Sequence, residues 1–365
     1  MFTLMAICRI FRETIEWLTL VWRAKQLKNV KKILVIRLRE IGDTILLTPM
    51  LRQLKCLHPE ASLDVVCEDR NSTVLIHNPS VDRLFRLPRK ASAWTFLKFA
   101  GGLRREKYDL VVDSQSMPKT AFLTRLTAAK TRLGFKNRWL RNRLCYTAPY
   151  VRNSLHYTAV SNLELLQDPR VDLSDDRLEV YSDTPSQSAV KIVLQLAQGR
   201  PIIAMNPVTR FAVRQWTFDG FATIADRLSD LGFLVMMLYG PGERDTANQV
   251  ARRMQHPCLI DYSIPSLLEL RSILASCVMY IGNDGGPRHL AIAAGIPTVT
   301  LFGDSPDPWT PWANPTHRVV ASARSGEVIQ TCGELVAEAS SIQAIPADVV
   351  WRQVQESLRQ QSQAA

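Results

Sequence analysis

The chain has 365 residues, of which 45 are Lys or Arg and 34 are Asp or Glu, so its formal net charge at neutral pH is +11. This chain is longer than the usual single-domain protein with one hydrophobic core, and two domains are therefore expected. The positive charge indicates an anionic partner, but no zinc-finger or RNP motif accompanies it, so nucleic acid is not favoured. The seven cysteines form no C-x-x-C pair, which argues against a zinc site or a disulfide framework.

An amphipathic helix is predicted within residues 1–30. Apolar side chains recur there at helical spacing, namely Ile7, Phe11, Ile15, Leu18 and Trp22. Lysines follow this stripe closely, and such a helix suits the surface of an acidic membrane. A helix packed on the protein's own domain or on a partner is the alternative. The segment lacks the layout of a signal peptide, and no apolar run in the sequence is long enough to cross a bilayer.

The remainder of the sequence alternates predicted strands and helices in two halves. Strands are predicted at 33–38, 63–67, 84–87 and 110–113, and again at 201–205, 233–239, 258–260, 278–281 and 298–302. Helices are predicted at 44–57, 218–231, 267–275 and 349–358. This alternation predicts mostly parallel sheets, and the polar stretch 168–185 is interpreted as a linker. Two α/β halves imply a cleft, with ligands bound beyond the carboxyl ends of the strands.

Asp43 stands just after the first predicted strand and just before the predicted helix that follows it. A carboxylate at that position can cap the helix or act as a general base that takes a proton from a hydroxyl. Local sequence alone favours the cap.

A second loop, residues 206–216, follows the first strand of the second half. Thr209 can donate a hydrogen bond to a phosphate oxygen, and Arg210 and Arg214 can make charge-assisted contacts to one. A solvated surface loop is the alternative. Glu243 lies in a glycine-rich turn after the next strand and could bind ribose hydroxyls, although a plain turn explains the glycines equally well.

The loop 282–290, with the sequence GNDGGPRHL, lies between a predicted strand and a predicted helix. Gly285 and Gly286 are expected to take up positive φ and to let a ligand approach the backbone, and Pro287 suits the first helical position. Because a helix N-terminus attracts anions, the loop predicts a ligand that carries phosphate, with a bare turn as the alternative. His289 either binds a ligand oxygen or satisfies a buried backbone group.

Four segments, taken in order, resemble the heptosyltransferases of glycosyltransferase family 9. They are 33–51 with the sequence IRLREIGD inside it, 113–135, the Arg-Gln-Trp at 214–216, and 282–303. The resemblance covers about 32–358. It implies an α/β chain with the GT-B fold, in which two Rossmann-like domains with parallel sheets face each other across a cleft. Residues 31–175 would bind the acceptor, 185–345 the nucleotide-sugar, and 346–365 would form a closing helix and tail.

The resemblance also assigns roles to individual residues. Asp43 falls on the family's catalytic base, and Arg214 falls where the family contacts the donor diphosphate. The predicted donor-binding residues are Asn206, Thr209, Arg210, Glu243, Asp284, Gly285, Gly286 and His289. The predicted acceptor-binding residues are Arg39, Gln115 and Lys119.

The implied reaction is an inverting transfer of heptose from ADP-heptose to a lipid-linked oligosaccharide of the lipopolysaccharide core. The sequence has no D-x-D pair, so a metal-independent reaction without a cofactor is predicted. A cytoplasmic protein, peripheral on the acidic inner face of the inner membrane, is expected. Two departures stand out: Gly285 replaces a common Ser or Thr, and Arg288 replaces a commonly apolar residue. The alternatives are a GT-B transferase with another nucleotide sugar and a non-catalytic binder of sugar nucleotides or lipopolysaccharide.

Overall fold

The structure, a computed structural model, describes residues 29–136, 142–182, 186–262, 264, 266–303, 305–322, 333–336 and 339–364. The predicted N-terminal helix, whose apolar stripe ends at Trp22, lies outside these residues. Contacts divide the chain into two compact units. The first contains the described residues up to Arg39, then Leu47–Asn153 and Ala159–Asp176, and the second contains Glu40–Leu46, Ser154–Thr158 and the described residues from Arg177 onward.

The first unit is built on a parallel six-stranded sheet in the order β3-β2-β1-β4-β5-β6. The strands are β1 (Lys32–Ile36), β2 (Ser62–Cys67), β3 (Arg83–Arg86), β4 (Leu110–Asp113), β5 (Thr131–Phe135) and β6 (Ala148–Tyr150). The central strands are continuous apolar runs because helices cover both faces of a parallel sheet. The strand order reverses between β1 and β4, which is where such sheets bind ligands.

The helices of the first unit follow its strands along the chain. They are α2 (Thr48–Leu57), α3 (Asp69–Ser72), α4 (Ala93–Arg105), α5 (Pro118–Leu126), α6 (Asn142–Cys145) and α7 (Thr158–Glu164), with α1 (Ile41–Ile45) preceding them in the chain but grouped with the second unit. A 3-10 turn covers Thr73–Leu75. The apolar core of this unit includes Leu34 and Val111 from the sheet and Phe96 and Leu103 from α4.

The second unit repeats the architecture with a parallel sheet in the order β12-β11-β10-β9-β7-β8. Its strands are β7 (Ile202–Asn206), β8 (Leu234–Met237), β9 (Met279–Asn283), β10 (Thr298–Phe302), β11 (His317–Ser322) and β12 (Gly333–Val336). The order reverses between β7 and β9. The predicted strand at 258–260 is reduced to one bridge between Met236 and Leu259, because only Leu259 exchanges backbone hydrogen bonds with β8.

The helices of the second unit lie between these strands and after them. They are α8 (Ser186–Ala197), α9 (Phe218–Asp230), α10 (Arg244–Ala251), α11 (Leu267–Leu274), α12 (Gly286–Ala293) and α13 (Ala347–Ala364), with 3-10 turns at Ala212–Arg214, Asp307–Trp309 and Ile342–Ala344. The closing helix thus begins earlier and ends later than the predicted 349–358. Among the described residues, no helix is both long enough and apolar enough to cross a membrane.

Candidate active site

Two asparagines end the strands that flank the reversal point of the second sheet. Asn206 closes β7 and Asn283 closes β9, and both are buried. The Tyr280 hydroxyl joins them, since it accepts from Asn206 Nδ2 at 3.2 Å and donates to the Asn283 carbonyl at 3.3 Å. A Cβ on Gly282 would lie 2.6 Å from the Asn206 carbonyl oxygen, so only glycine allows this close approach of the strands.

Asn283 holds the loop that contains the predicted phosphate-binding residues. Its Oδ1 accepts from the Trp216 backbone N–H at 3.1 Å, and its Nδ2 donates to the Pro207 carbonyl at 3.1 Å. Trp216 is 1% exposed and donates its indole N–H to the Ile345 carbonyl at 3.0 Å. Both ends of residues 207–216 are therefore fixed to the sheet. No sequence pattern predicted this role of Asn283.

The predicted donor residues of this loop lie on its outer part. Thr209 is half-buried, and Arg214 ends the 3-10 turn with its guanidinium 5.5 Å from the centre of the Phe211 ring. Arg210 is exposed and pairs with Glu40 at 3.3 Å. The loop thus presents two arginines on a backbone that is anchored at both ends.

The glycine loop differs from its predicted backbone conformation. Gly285 has a φ of 170°, which is extended backbone open to any residue, and Gly286 is the first residue of α12. Neither glycine appears among the positions with positive φ, so that expectation is wrong. Pro287 is the second rather than the first helical residue. A Cβ on Gly285 would meet only Pro287 Cδ, at 3.8 Å, so this glycine is required neither by its conformation nor by its neighbours.

Asp43 lies inside α1 and does not cap it. The helix begins at Ile41, so Asp43 falls in its first turn and is half-buried. Glu40 occupies the N-cap position with a φ of 57°, a left-handed conformation that is unfavourable for a residue other than glycine. The cap interpretation of Asp43 is therefore wrong, because α1 starts at Ile41, three residues earlier than the predicted Thr44.

Helix α1 packs against the start of α12 within the second unit. A Cβ on Gly42 would lie 2.7 Å from His289 Cδ2 and 3.7 Å from Gly286 Cα. Only glycine therefore lets α1 approach the imidazole this closely. Asp43 follows Gly42 directly, so the same packing fixes the backbone of the predicted base beside the N-terminus of α12.

His289 is a buried neutral imidazole. Burial, and secondarily the charge of Arg288, lowers its pKa to about 3. Its Nδ1 is buried and makes no hydrogen bond with the described residues. The expectation that this ring satisfies a buried backbone group is not met at Nδ1. The ring instead packs against Gly42.

Arg288 is a fully buried cation whose hydrogen bonds hold the segment after β10. Its Nη1 donates to the Trp309 carbonyl at 2.8 Å and its Nη2 to Thr310 Oγ1 at 3.1 Å, while the guanidinium lies 5.0 Å from the centre of the Phe302 ring. Asp284 is the nearby counter-charge, with its Oδ1 at 3.6 Å from Nη1. Burial lowers the pKa of Arg288. The arginine therefore joins the predicted donor residue Asp284 to residues 309 and 310.

Glu243 has an internal role in the structure. Its Oε2 accepts from the Gly240 N–H at 2.8 Å and closes the turn before α10. This contact accounts for the turn without a ligand, and binding of ribose by Glu243 stays a prediction.

The predicted acceptor residues lie in the first unit, at the reversal point between β1 and β4. The side-chain oxygen of Gln115 accepts from the backbone N–H of Leu38 at 2.8 Å and of Arg39 at 3.1 Å. Arg39 is exposed, with its Nε 3.6 Å from Glu68 Oε1, and Lys119 Nζ lies 5.9 Å from the centre of the Phe96 ring. Gln115 thus ties together the two loops that the resemblance assigns to the acceptor.

Two parallel α/β units of this kind match solved structures with the GT-B fold, and the predicted fold class is confirmed. The sequence profile of glycosyltransferase family 9 (heptosyltransferase) matches residues 96–334, more than half of the chain. The chain belongs to this family and is a glycosyltransferase of the heptosyltransferase type.

Curated relatives agree with this assignment, and solved structures agree with the fold. The chain is 26% identical over 288 residues to lipopolysaccharide heptosyltransferase 3 of Escherichia coli, covering 75% of this chain and 84% of the relative. It is 24% identical over 300 residues to lipooligosaccharide heptosyltransferase 2 of Haemophilus ducreyi, with coverages of 77% and 85%. A family 9 glycosyl transferase of Veillonella parvula superposes with a TM-score of 0.75 at 21% identity, covering 91% of this chain and 98% of that one. The E. coli ADP-heptose lps heptosyltransferase II gives 0.70 at 22% identity, with coverages of 91% and 99%.

Proposed function

We propose that this chain transfers a heptose from ADP-heptose to a sugar of a lipopolysaccharide core acceptor, with inversion at the anomeric carbon. The names of its relatives support the substrate class, since they are lipopolysaccharide and lipooligosaccharide heptosyltransferases. The donor is supported by the fold neighbours, which include an E. coli heptosyltransferase WaaC with ADP-2-deoxy-2-fluoro heptose. The acceptor would be lipid-linked, and the net charge of +11 suits its phosphates.

The reaction needs a base for the acceptor and a counter-charge for the leaving group. Asp43 takes the proton of one acceptor hydroxyl, and that oxygen attacks the anomeric carbon while ADP leaves from the opposite face. The new glycosidic bond replaces the bond from sugar to phosphate, and the electron pair of the broken bond goes to the diphosphate.

One observation carries this proposal: the helix that holds Asp43 packs on the helix that begins at the glycine loop. Gly42 contacts His289 and approaches Gly286, and Glu40–Leu46 belong to the same unit as α12. The proposed base and the proposed site for the leaving anion therefore lie on two helices that pack against each other. A bare strand-to-helix turn gives no reason for a carboxylate to be carried there.

The charge that grows on the diphosphate would meet the N-terminus of α12 and the two arginines of the anchored loop. A helix N-terminus offers N–H groups that have no partner within the helix, and Arg214 and Arg210 add formal charge. Within the part of the chain that the structure describes, no group of three or more His, Cys, Asp or Glu side chains is placed to hold a metal ion. We propose that the reaction is metal-independent. We also propose that it takes place at the cytoplasmic face of the inner membrane, where the net charge of +11 suits acidic lipids.

Asp43→Asn provides the test of the base, because it keeps the shape of the side chain and removes its basicity. Transfer should fall by about 10²–10⁴-fold, the usual contribution of a general base, while ADP binding measured by calorimetry stays near that of the parent. Comparable turnover in this variant would exclude Asp43 as the base. A panel of ADP-, UDP- and GDP-sugars tests the donor separately, and equal binding of all three would remove ADP-heptose from the proposal.

A further inference from the structure

Helix α4 of the first unit is apolar on two faces. Its inner face contributes Phe96, Ala100 and Leu103 to the core. Its outer face presents Trp94 at 77% exposure and Leu97 at 49% exposure. A helix that only covers a sheet needs one apolar face, so folding of this unit does not explain the second.

The neighbouring helix α5 extends the outer apolar surface. Phe122 stacks on Phe96 of α4 with ring centres 6.1 Å apart, which places the two helices side by side. Phe122 is 50% exposed, and so is Met117 at the N-cap of α5. We call Trp94, Leu97, Met117 and Phe122 the apolar patch.

The charged side chains within the two helices that carry the apolar patch have one sign. Neither α4 nor α5 contains an Asp or Glu, and their basic side chains are Lys98, Arg104, Arg105, Lys119 and Arg125. Lys98 follows Leu97 in α4, and Arg125 is one helical turn after Phe122 in α5. Exposed apolar side chains on helices whose only charged residues are cations are complementary to a surface that is anionic outside and apolar beneath.

We propose that the apolar patch docks this protein on an anionic phospholipid surface. Trp94, Leu97 and Phe122 would enter the headgroup region, where an indole ring is favoured because one edge stays wet, and the basic side chains would contact lipid phosphates. A second copy of the chain is a poor occupant, because two patches with only positive charges repel each other.

Docking through the apolar patch would help the reaction, because the patch lies beside the predicted acceptor loop. Met117 lies on the loop that follows the predicted acceptor residue Gln115, and Lys119, also predicted to bind the acceptor, lies in the first turn of α5. A membrane held against α4 and α5 would keep a lipid-anchored sugar close to that loop. Docking itself needs neither donor nor acceptor, so it stands or falls independently of the proposed function.

The test compares two double variants of the full-length chain. The patch variant is Trp94→Ser with Leu97→Ser. The matched control is Ile192→Ser with Leu196→Ser on α8, where both side chains are also exposed, at 56% and 45%. Co-sedimentation measures binding to vesicles of phosphatidylethanolamine and phosphatidylglycerol, and to vesicles of phosphatidylcholine alone. Because all four side chains are exposed, both variants should fold, and circular dichroism checks this.

The parent should bind the anionic vesicles in a salt-sensitive manner and the phosphatidylcholine vesicles weakly. The patch variant should lose about tenfold in vesicle affinity, and the control should stay within about twofold of the parent. Equal loss in both variants, or no loss in the patch variant, overturns the proposal. Sedimentation velocity adds a further outcome: if the patch variant abolishes self-association of the parent without changing vesicle binding, the patch is a protein interface and the proposal is wrong.

Discussion

Gly42→Ala tests whether the contact between α1 and α12 positions the predicted base. The new methyl group would lie 2.7 Å from His289 Cδ2, and the two helices must separate by about 1 Å to restore ordinary van der Waals contact. His289 is 4% exposed, so its ring is enclosed by the protein. Since a displacement of about 1 Å in a catalytic group can cost about 10²-fold in rate, kcat should fall by roughly that factor.

The effect on stability should be much smaller than the effect on rate. Overpacking costs about 1–3 kcal/mol, while alanine in a helix is favoured over glycine by about 1 kcal/mol. The free energy of unfolding should therefore fall by about 0–2 kcal/mol, which urea unfolding measures. Steady-state transfer with a soluble acceptor measures kcat, and the donor KM should change less than kcat.

Two further variants make the interpretation of Gly42→Ala specific. Gly102→Ala is the matched control, because a Cβ at this helical glycine meets nothing within 4 Å; it should raise stability by up to about 1 kcal/mol and leave kcat unchanged. The combination of Gly42→Ala with His289→Ala removes the clashing ring and should show a coupling of about 1–2 kcal/mol in stability. Normal kcat in Gly42→Ala, or no coupling in the double variant, would refute the reasoning.

Three other variants test the charges of the second unit. Arg288→Met removes the donors to residues 309 and 310 but fills the same space, so amide exchange of 307–312 should accelerate, and unchanged exchange would contradict the anchoring role. Arg214→Ala should lower kcat/KM by about 10²–10³-fold with partial recovery in Arg214→Lys, and equal activity of the Ala variant would remove Arg214 from the leaving-group site. Burial lowers the pKa of both His289 and His317 to about 3. The unfolded chain therefore binds more protons below pH 6.5, and the free energy of unfolding should decline by about 1.4 kcal/mol per pH unit for each histidine as the pH falls toward 3. Urea unfolding at several pH values should show a shallower decline in His317→Gln, and an identical slope would place the protonation elsewhere.

The strands could be predicted from the sequence because parallel sheets leave a strong pattern. Each central strand is buried on both faces, so its sequence is a short apolar run. The strands at 110–113 and 298–302 therefore have the bounds that the sequence predicts. The segment 258–260 has the same composition but forms a single bridge. An apolar composition indicates that a segment is buried. It does not indicate how many backbone hydrogen bonds the segment forms with a neighbouring strand.

The start of α1 could not be predicted for a different reason. Glu40 adopts a left-handed conformation that the sequence does not favour, and it pairs with Arg210, which lies far away in the chain. Local rules placed the cap at Asp43, because Asp is a preferred N-cap residue. Tertiary packing of Gly42 on His289 explains why the helix begins earlier, and only the folded chain contains that contact.

The packing of the glycine loop shows which of its residues the fold requires and which it does not. Gly282 is needed for close approach to β7, Asn283 holds the preceding loop, Arg288 holds residues 309 and 310, and His289 packs on α1. Between them, Gly285 is needed for neither backbone conformation nor packing. Gly285 lies at the start of α12, beside the turn that carries Asp43, and the fold does not require a glycine there. We therefore expect that substitution of Gly285 can change ligand binding without changing the fold. We therefore predict that the departure from Ser or Thr at Gly285 changes how the donor is bound, whereas Arg288, the other departure, holds residues 309 and 310.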